Sequence, residues 1–264
     1  MPNYRIDLEY EGTRYRGWQE QQNARSVAGE LRRALADAGA DIAELGGAGR
    51  TDAGVHALHQ VAHLRLRRAV NPEKLRLTAN DRLPADIHLL SLVRAPEKFH
   101  ARHDAVMRSY LYQISRRRTA MAKRGVWWVK RPLDVRAIVE AAALLSGMHD
   151  FRNFCERPQD HTSTKVVVES VVVVESGALL LVRVAASHFL WKMVRRLVGT
   201  LVEIGAGSVP VRILEQLLDR AAPASAAPAL WTAPPSGLFL ERVLYAGDGG
   251  LPPVSPAMPV TDET

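Results

Sequence analysis

Residues 4–10 alternate, with Tyr4, Ile6, Leu8 and Tyr10 on one side and Arg5, Asp7 and Glu9 on the other. A period of two predicts a half-buried strand. Gly12 and Gly17 mark a turn, and Ser26 can cap a helix whose apolar stripe is Val27, Leu31, Leu35 and Ala38, ended by Gly39. The two-residue period returns at 59–67, where Ala62, Leu64 and Leu66 oppose His63, Arg65 and Arg67, and strands are also expected at 87–93 and 106–114. Further on, Asp134 can cap a helix bearing Val135, Ile138, Ala142 and Leu145, stopped by Gly147. Segments 165–175 and 178–184 flank Ser176-Gly177 and predict a β-hairpin. Phe189 to Ile204 reads as a helix with Phe189, Met193, Val194, Leu197 and Leu201 buried, and Pro210 as the first turn of another. An Ala/Pro-rich linker is expected at 221–235 and a last strand at 238–245. The order β-α-β-β in both halves predicts an α+β fold with antiparallel pairing. The halves are placed at 1–104 and 105–247, followed by a Pro-rich, core-poor tail, 248–264, expected to be disordered.

Composition narrows the classes. A chain of 264 residues with 47% hydrophobic and 24% charged residues has the make-up of a globular protein with a sizeable core. Its single cysteine, Cys155, excludes an intramolecular disulfide and a cysteine-based zinc site. No signal-peptide pattern opens the sequence and no apolar run approaches about 20 residues, so a cytoplasmic protein is expected. The formal charge is +7, and from Arg116 to Arg131 seven basic residues surround Trp127 and Trp128 with no acidic one. That stretch is either a solvated loop or a surface for an RNA backbone.

The segment from Gly46 to His56 is the most unusual: four glycines around one carboxylate, Asp52, with Arg50 two residues before it. A nearby guanidinium favours the charged carboxylate, suited to attack an electrophile or stabilise a cation. On spacing alone, a structural Asp–Arg pair pinning a turn is the favoured reading. The segment lacks the third glycine of a dinucleotide fingerprint and the Gly-Lys-Ser/Thr ending of a phosphate loop. His56, His59 and His63 would share a helix face, but the local period is that of a strand, so no metal is expected. On the strand after Phe99-His100-Ala101-Arg102, the side chains of Arg108, Tyr110 and Tyr112 share a face; Tyr110 could stack a base, whereas Tyr112 reads as core.

Together these segments resemble the tRNA pseudouridine synthase A family. The resemblance is carried by Tyr10–Gln19, the block Gly49-Arg50-Thr51-Asp52-Ala53-Gly54-Val55-His56-Ala57, Phe99–Arg102, Arg108–Tyr112, Gly147–Phe151, Met193-Val194-Arg195 with Gly199, and Ala233–Leu238, in family order over nearly the whole chain. It implies two α+β halves sharing a continuous, mostly antiparallel sheet with a central basic cleft. It also implies a homodimer that needs no cofactor and isomerises uridine in the anticodon stem-loop of tRNA, at positions 38–40. By the same resemblance Asp52 falls at the catalytic aspartate, Tyr110 at a tyrosine that stacks on the target base, Arg195 at the arginine paired with that aspartate, and Arg50 at the cleft border. Glu11, His103 and Asp104 depart from the family pattern, which touches substrate contacts and leaves the chemistry intact. A non-catalytic RNA-binding protein and a hydrolase using Asp52 and His56 are the rival readings.

Overall fold

A computed structural model describes residues 1–160, 163–219, 224–225 and 227–262. Parts of the 221–235 linker and the end of the tail lie outside the described residues. The chain forms two compact units, residues 1–106 with 239–250, and residues 107–238 with 251–264. Helices and mostly antiparallel strands give the α+β class that the patterning predicts.

In the first unit the elements are β1 (Asn3–Tyr10), α1 (Val27–Asp37), β2 (Ile42–Gly47), β3 (His56–Leu66), α2 (Pro72–Asn80) and β4 (Ile87–Arg94). β1 lies between β4 and β3, antiparallel to both. The other edge of β3 is shared: β2 pairs with its residues 62–66, while Phe239 and Leu240 pair in parallel with His56 and Ala57. The turn 48–55 therefore leaves the sheet from a hairpin whose two strands are each anchored by pairing, and Asp52 sits on that turn.

α1 begins where Ser26 Oγ accepts a hydrogen bond from Gly29 N at 3.2 Å, and Gly39, at φ +90°, ends it. Its buried stripe is Val27, Leu31, Ala34 and Leu35, with Ala38 left half-buried as the cap. From Gln60 to Leu64 β3 is buried at every position, so His63, expected outside, is inside. Both polar side chains there find partners: Gln60 donates to Gly49 O at 2.9 Å, and His63 lies 3.2 Å from Glu44 Oε1.

In the second unit β5 (Ala105–Ser115), β6 (Trp127–Trp128), α3 (Val135–Ala143), β7 (Gly147–Asp150), β8 (Lys165–Ser176), β9 (Leu179–Ala186), α4 (Met193–Gly205), α5 (Ile213–Leu218) and α6 (Ala227–Leu230) precede β10 (Leu238–Tyr245), which enters the first unit from Phe239 onward. The sheet order is β5-β9-β8-β7, with β6 parallel to the end of β5. β9 is buried along its whole length. The hairpin turns at Gly177, φ +54°, as the Ser-Gly pair predicts.

Three expectations are corrected. α4 starts at Met193, not Phe189, because Lys192 adopts a left-handed φ of +60° that breaks the helix, freeing Phe189 to pack edge-on against Tyr110. α5 starts at Ile213, after a turn in which Ile213 N donates to Pro210 O. The described part of the tail is held to the second unit: Ala178 N donates to Val260 O at 3.0 Å, Arg183 to Pro252 O at 2.7 Å, and Arg117 to Thr261 O at 2.8 Å. Two of these donors, Ala178 and Arg183, are buried, and so is Val260, so a stretch poor in apolar residues is nonetheless held in place.

Candidate active site

The Asp52 turn is clamped by the segment that follows β1. Trp18 N donates to Thr51 O at 3.1 Å, Gly54 N to Tyr15 O at 3.2 Å, and Gly12 N to His56 Nδ1 at 3.0 Å. Two glycines allow this approach. A Cβ on Gly12 would lie 1.9 Å from Val55 O, and one on Gly17, at φ +94°, would lie 2.5 Å from Thr51 O. Thr51 is buried and shares a 2.8 Å hydrogen bond with the Tyr10 hydroxyl. Burial raises the Tyr10 hydroxyl above its ordinary range, so it stays protonated there, with Thr51 and Gln60 pulling weakly the other way. Val55 N donates back to Asp52 O at 3.1 Å, and Gly54 takes φ +77°. The backbone on both sides of Asp52 is thus fixed, and its side chain is half-buried.

Arg50, the arginine nearest in sequence, is exposed and forms no ion pair among the described residues. The adjacency that suggested an Asp–Arg pair does not produce one, because buried Thr51 between them anchors the turn while Arg50 leads outward. Gly46 and Gly47 are small for packing rather than for a ligand: their missing Cβ positions are filled by His63 and Trp18, each within 2.6 Å. Trp18, Gln60 and Tyr10 complete the site, and the sequence reading gave them no role there. Only the aromatic at the end of β1 and the Trp after the Gly17 turn could have hinted at it.

His56 accepts from Gly12 N–H, which puts its own proton on Nε2, and its ring stacks on Phe239 at 4.7 Å. It is a buried brace of the turn. Among the described residues, Glu44, His63 and His100 come within 4.8 Å of one another. His63 Nδ1 accepts from Ala101 N at 3.3 Å and His100 Nδ1 from Arg102 N at 3.2 Å, so both rings carry the proton on Nε2. In that tautomer neither ring offers a lone pair to a cation, and Glu44 acts as hydrogen-bond acceptor for His63 and Arg65.

The second unit holds Tyr110 and Arg195. Tyr110 is buried in β5 opposite Val184, its ring 4.9 Å from Phe189 and perpendicular to it. Arg108, on the same face, donates to Ser187 O at 2.9 Å. Tyr112 is core, as its pattern predicts: its hydroxyl donates to Pro234 O at 2.7 Å, and burial pushes its pKa well up against the opposing charge of Arg195. Arg195, in the first turn of α4, is half-buried, with Nε donating to Ala233 O at 2.7 Å while Ala233 N donates to Arg195 O at 3.0 Å. This reciprocal bond fixes the guanidinium's direction, and Gly199 permits it, since a Cβ there would meet Trp231 O at 1.6 Å.

Within the first unit, a half-buried carboxylate on a turn fixed by backbone hydrogen bonds is a candidate reactive group on an α+β frame. The family model described as tRNA pseudouridine synthase matches residues 8–104 and 141–246, and the chain belongs to that family. It is therefore an isomerase that makes pseudouridine in tRNA. Similar curated proteins are named tRNA pseudouridine synthase A: that of Maricaulis maris is 40% identical over 94% of this chain and 99% of that protein. That of Afipia carboxidovorans is 39% identical over 93% and 100%. Among solved structures, the archaeal box H/ACA sRNP Nop10–Cbf5 complex covers 76% of this chain and 43% of that one at 14% identity and a TM-score of 0.34, too distant to carry an argument. No helix among the described residues is long and apolar enough to cross a membrane.

Proposed function

We propose that this chain, as a cytoplasmic homodimer, converts uridine to pseudouridine at positions 38–40 of the anticodon stem-loop of tRNA, with Asp52 as the catalytic nucleophile. The supporting observation is the Asp52 turn: a single carboxylate, half-open to solvent, on a backbone locked by Trp18, Tyr15 and Gly12. The reaction breaks the C1′–N1 bond, rotates the uracil, joins C5 to C1′ and releases the C5 proton. No electrons are gained or lost, so the chain's own residues suffice. Asp52 attacks the ribose C1′, attacks C6 of the base, or promotes a glycal; a rigid anionic oxygen serves each route. Tyr110 stacks on the everted base, which costs a few kcal/mol to flip and least in a loop. Arg195 supports the charge of Asp52, and exposed Arg50 contacts a phosphate. The test is incubation with unmodified tRNA tritiated at C5 of uridine. Release of tritium to water, with pseudouridine mapped at 38–40, is the expected result. Binding without release, or free uracil, would refute the reading.

A further inference from the structure

The basic stretch 116–131 is not absorbed by this site. Six of its seven cations fall into two groups. Arg116 pairs with Glu175, Arg117 donates to Thr261 O, and Arg131 pairs with Glu203 and reaches Ser208 Oγ at 2.9 Å. These three hold the fold together. Arg118, Lys123 and Lys130 are exposed and form no ion pair among the described residues. Two of them meet at one side chain: Arg118 lies 5.8 Å and Lys130 5.2 Å from the ring centroid of Trp128, which is 36% exposed on β6.

An exposed tryptophan with two cations over it and no acid in its stretch has two uses. It can simply shelter the ring, or it can hold the cations in place for a polyanion. The second explains why no acidic partner neutralises them here, whereas the neighbouring Arg116 and Arg131 each have one. Cation–π contact orders the two long side chains before binding, which reduces the entropy lost when they engage a ligand. Trp128 pairs with Ser115, five residues along β5 from Tyr110, so the platform is roughly 16 Å along the strand at about 3.3 Å per residue and on the opposite face from Tyr110.

We propose that Trp128, with Arg118 and Lys130, is a phosphate-backbone contact for the tRNA, separate from the residues that handle the target base. This deepens the proposed function and rests on it for the identity of the RNA. Counterion release sets the test, since each cation–phosphate contact adds about 0.7 to 0.9 to the slope of log affinity against log salt. The double variant Arg118→Gln/Lys130→Gln is expected to lower that slope by roughly 1.5 and to weaken tRNA binding about tenfold at 0.15 M salt. KM should rise with kcat unchanged. Trp128→Ala should weaken binding, and Trp128→Phe, which keeps an aromatic face, should restore it. An unchanged slope and affinity in the double variant, or a fall in kcat at constant KM, would overturn the inference. Binding is read separately from turnover, so a wild type that binds tRNA but makes no pseudouridine sinks the proposed function and leaves this contact standing.

Discussion

At Gly17 the chain turns through φ +94°, and the space a Cβ would take is occupied by the carbonyl of Thr51. The neighbouring atom is backbone, so it can yield only by moving the turn that carries Asp52. Gly17→Ala should cost about 1–3 kcal/mol in stability. It should also slow turnover by tenfold or more, since small displacements of a reacting group are expensive. Denaturant titration alongside tritium release checks both, and wild-type values for both would contradict it. The carboxylate itself was legible from local composition, because one Asp among glycines is unusual. Its supports were not. Tyr10 bonds Thr51 across 41 residues of sequence, and Gln60 reaches Gly49 through a hairpin whose first strand, β2, shows no alternation.

α4 carries Arg195 near one end and Glu203 near the other, and Glu203 is tied to Arg131 at 3.0 Å. The hydrogen bond from Arg131 holds Glu203 below the usual carboxylate range, with burial opposing. A depressed folded-state pKa contributes stability that is complete above about 4.5 and lost as the pH falls through the lower, folded value. Glu203→Gln should therefore flatten the loss of stability below pH about 4.5, by less than about 1 kcal/mol because Arg131 is largely solvated. Melting midpoints measured from pH 3 to pH 7 test the sign; a steeper acid loss in the variant would oppose it. Periodicity revealed α1, α3 and β9, whose buried faces are continuous, and β8, whose run of valines and Ser-Gly turn mark it although only Val166 and Val168 are buried. It did not reveal α2, where only Leu75 and Ala79 are buried, nor the start of α4, which depends on the left-handed backbone of Lys192. A strained φ at lysine leaves no mark in a hydrophobic pattern.

Over the whole molecule, the chain leaves its first unit at 106 and re-enters it from 239 to 250, then returns to the second. Alternation predicts a strand at 238–245 but cannot name its neighbour, which is why a boundary drawn in sequence order misplaces β10. The ordered tail follows from buried groups that need it. Gln113, wholly buried, accepts from Ala257 N at 2.6 Å, and Arg183 would lose both proline carbonyls without residues 252 and 253. Deleting 251–264 should destabilise the second unit by about 2–4 kcal/mol, seen as a lower unfolding midpoint; an unchanged midpoint would show the tail to be dispensable. The proposed chemistry depends on one oxygen donor, and an isosteric change isolates it. Asp52→Asn should bind tRNA within about twofold of the wild type while its release of C5 tritium falls to background, a loss of at least about 10⁴ expected when a nucleophile is removed. Measurable tritium release by that variant would contradict the account.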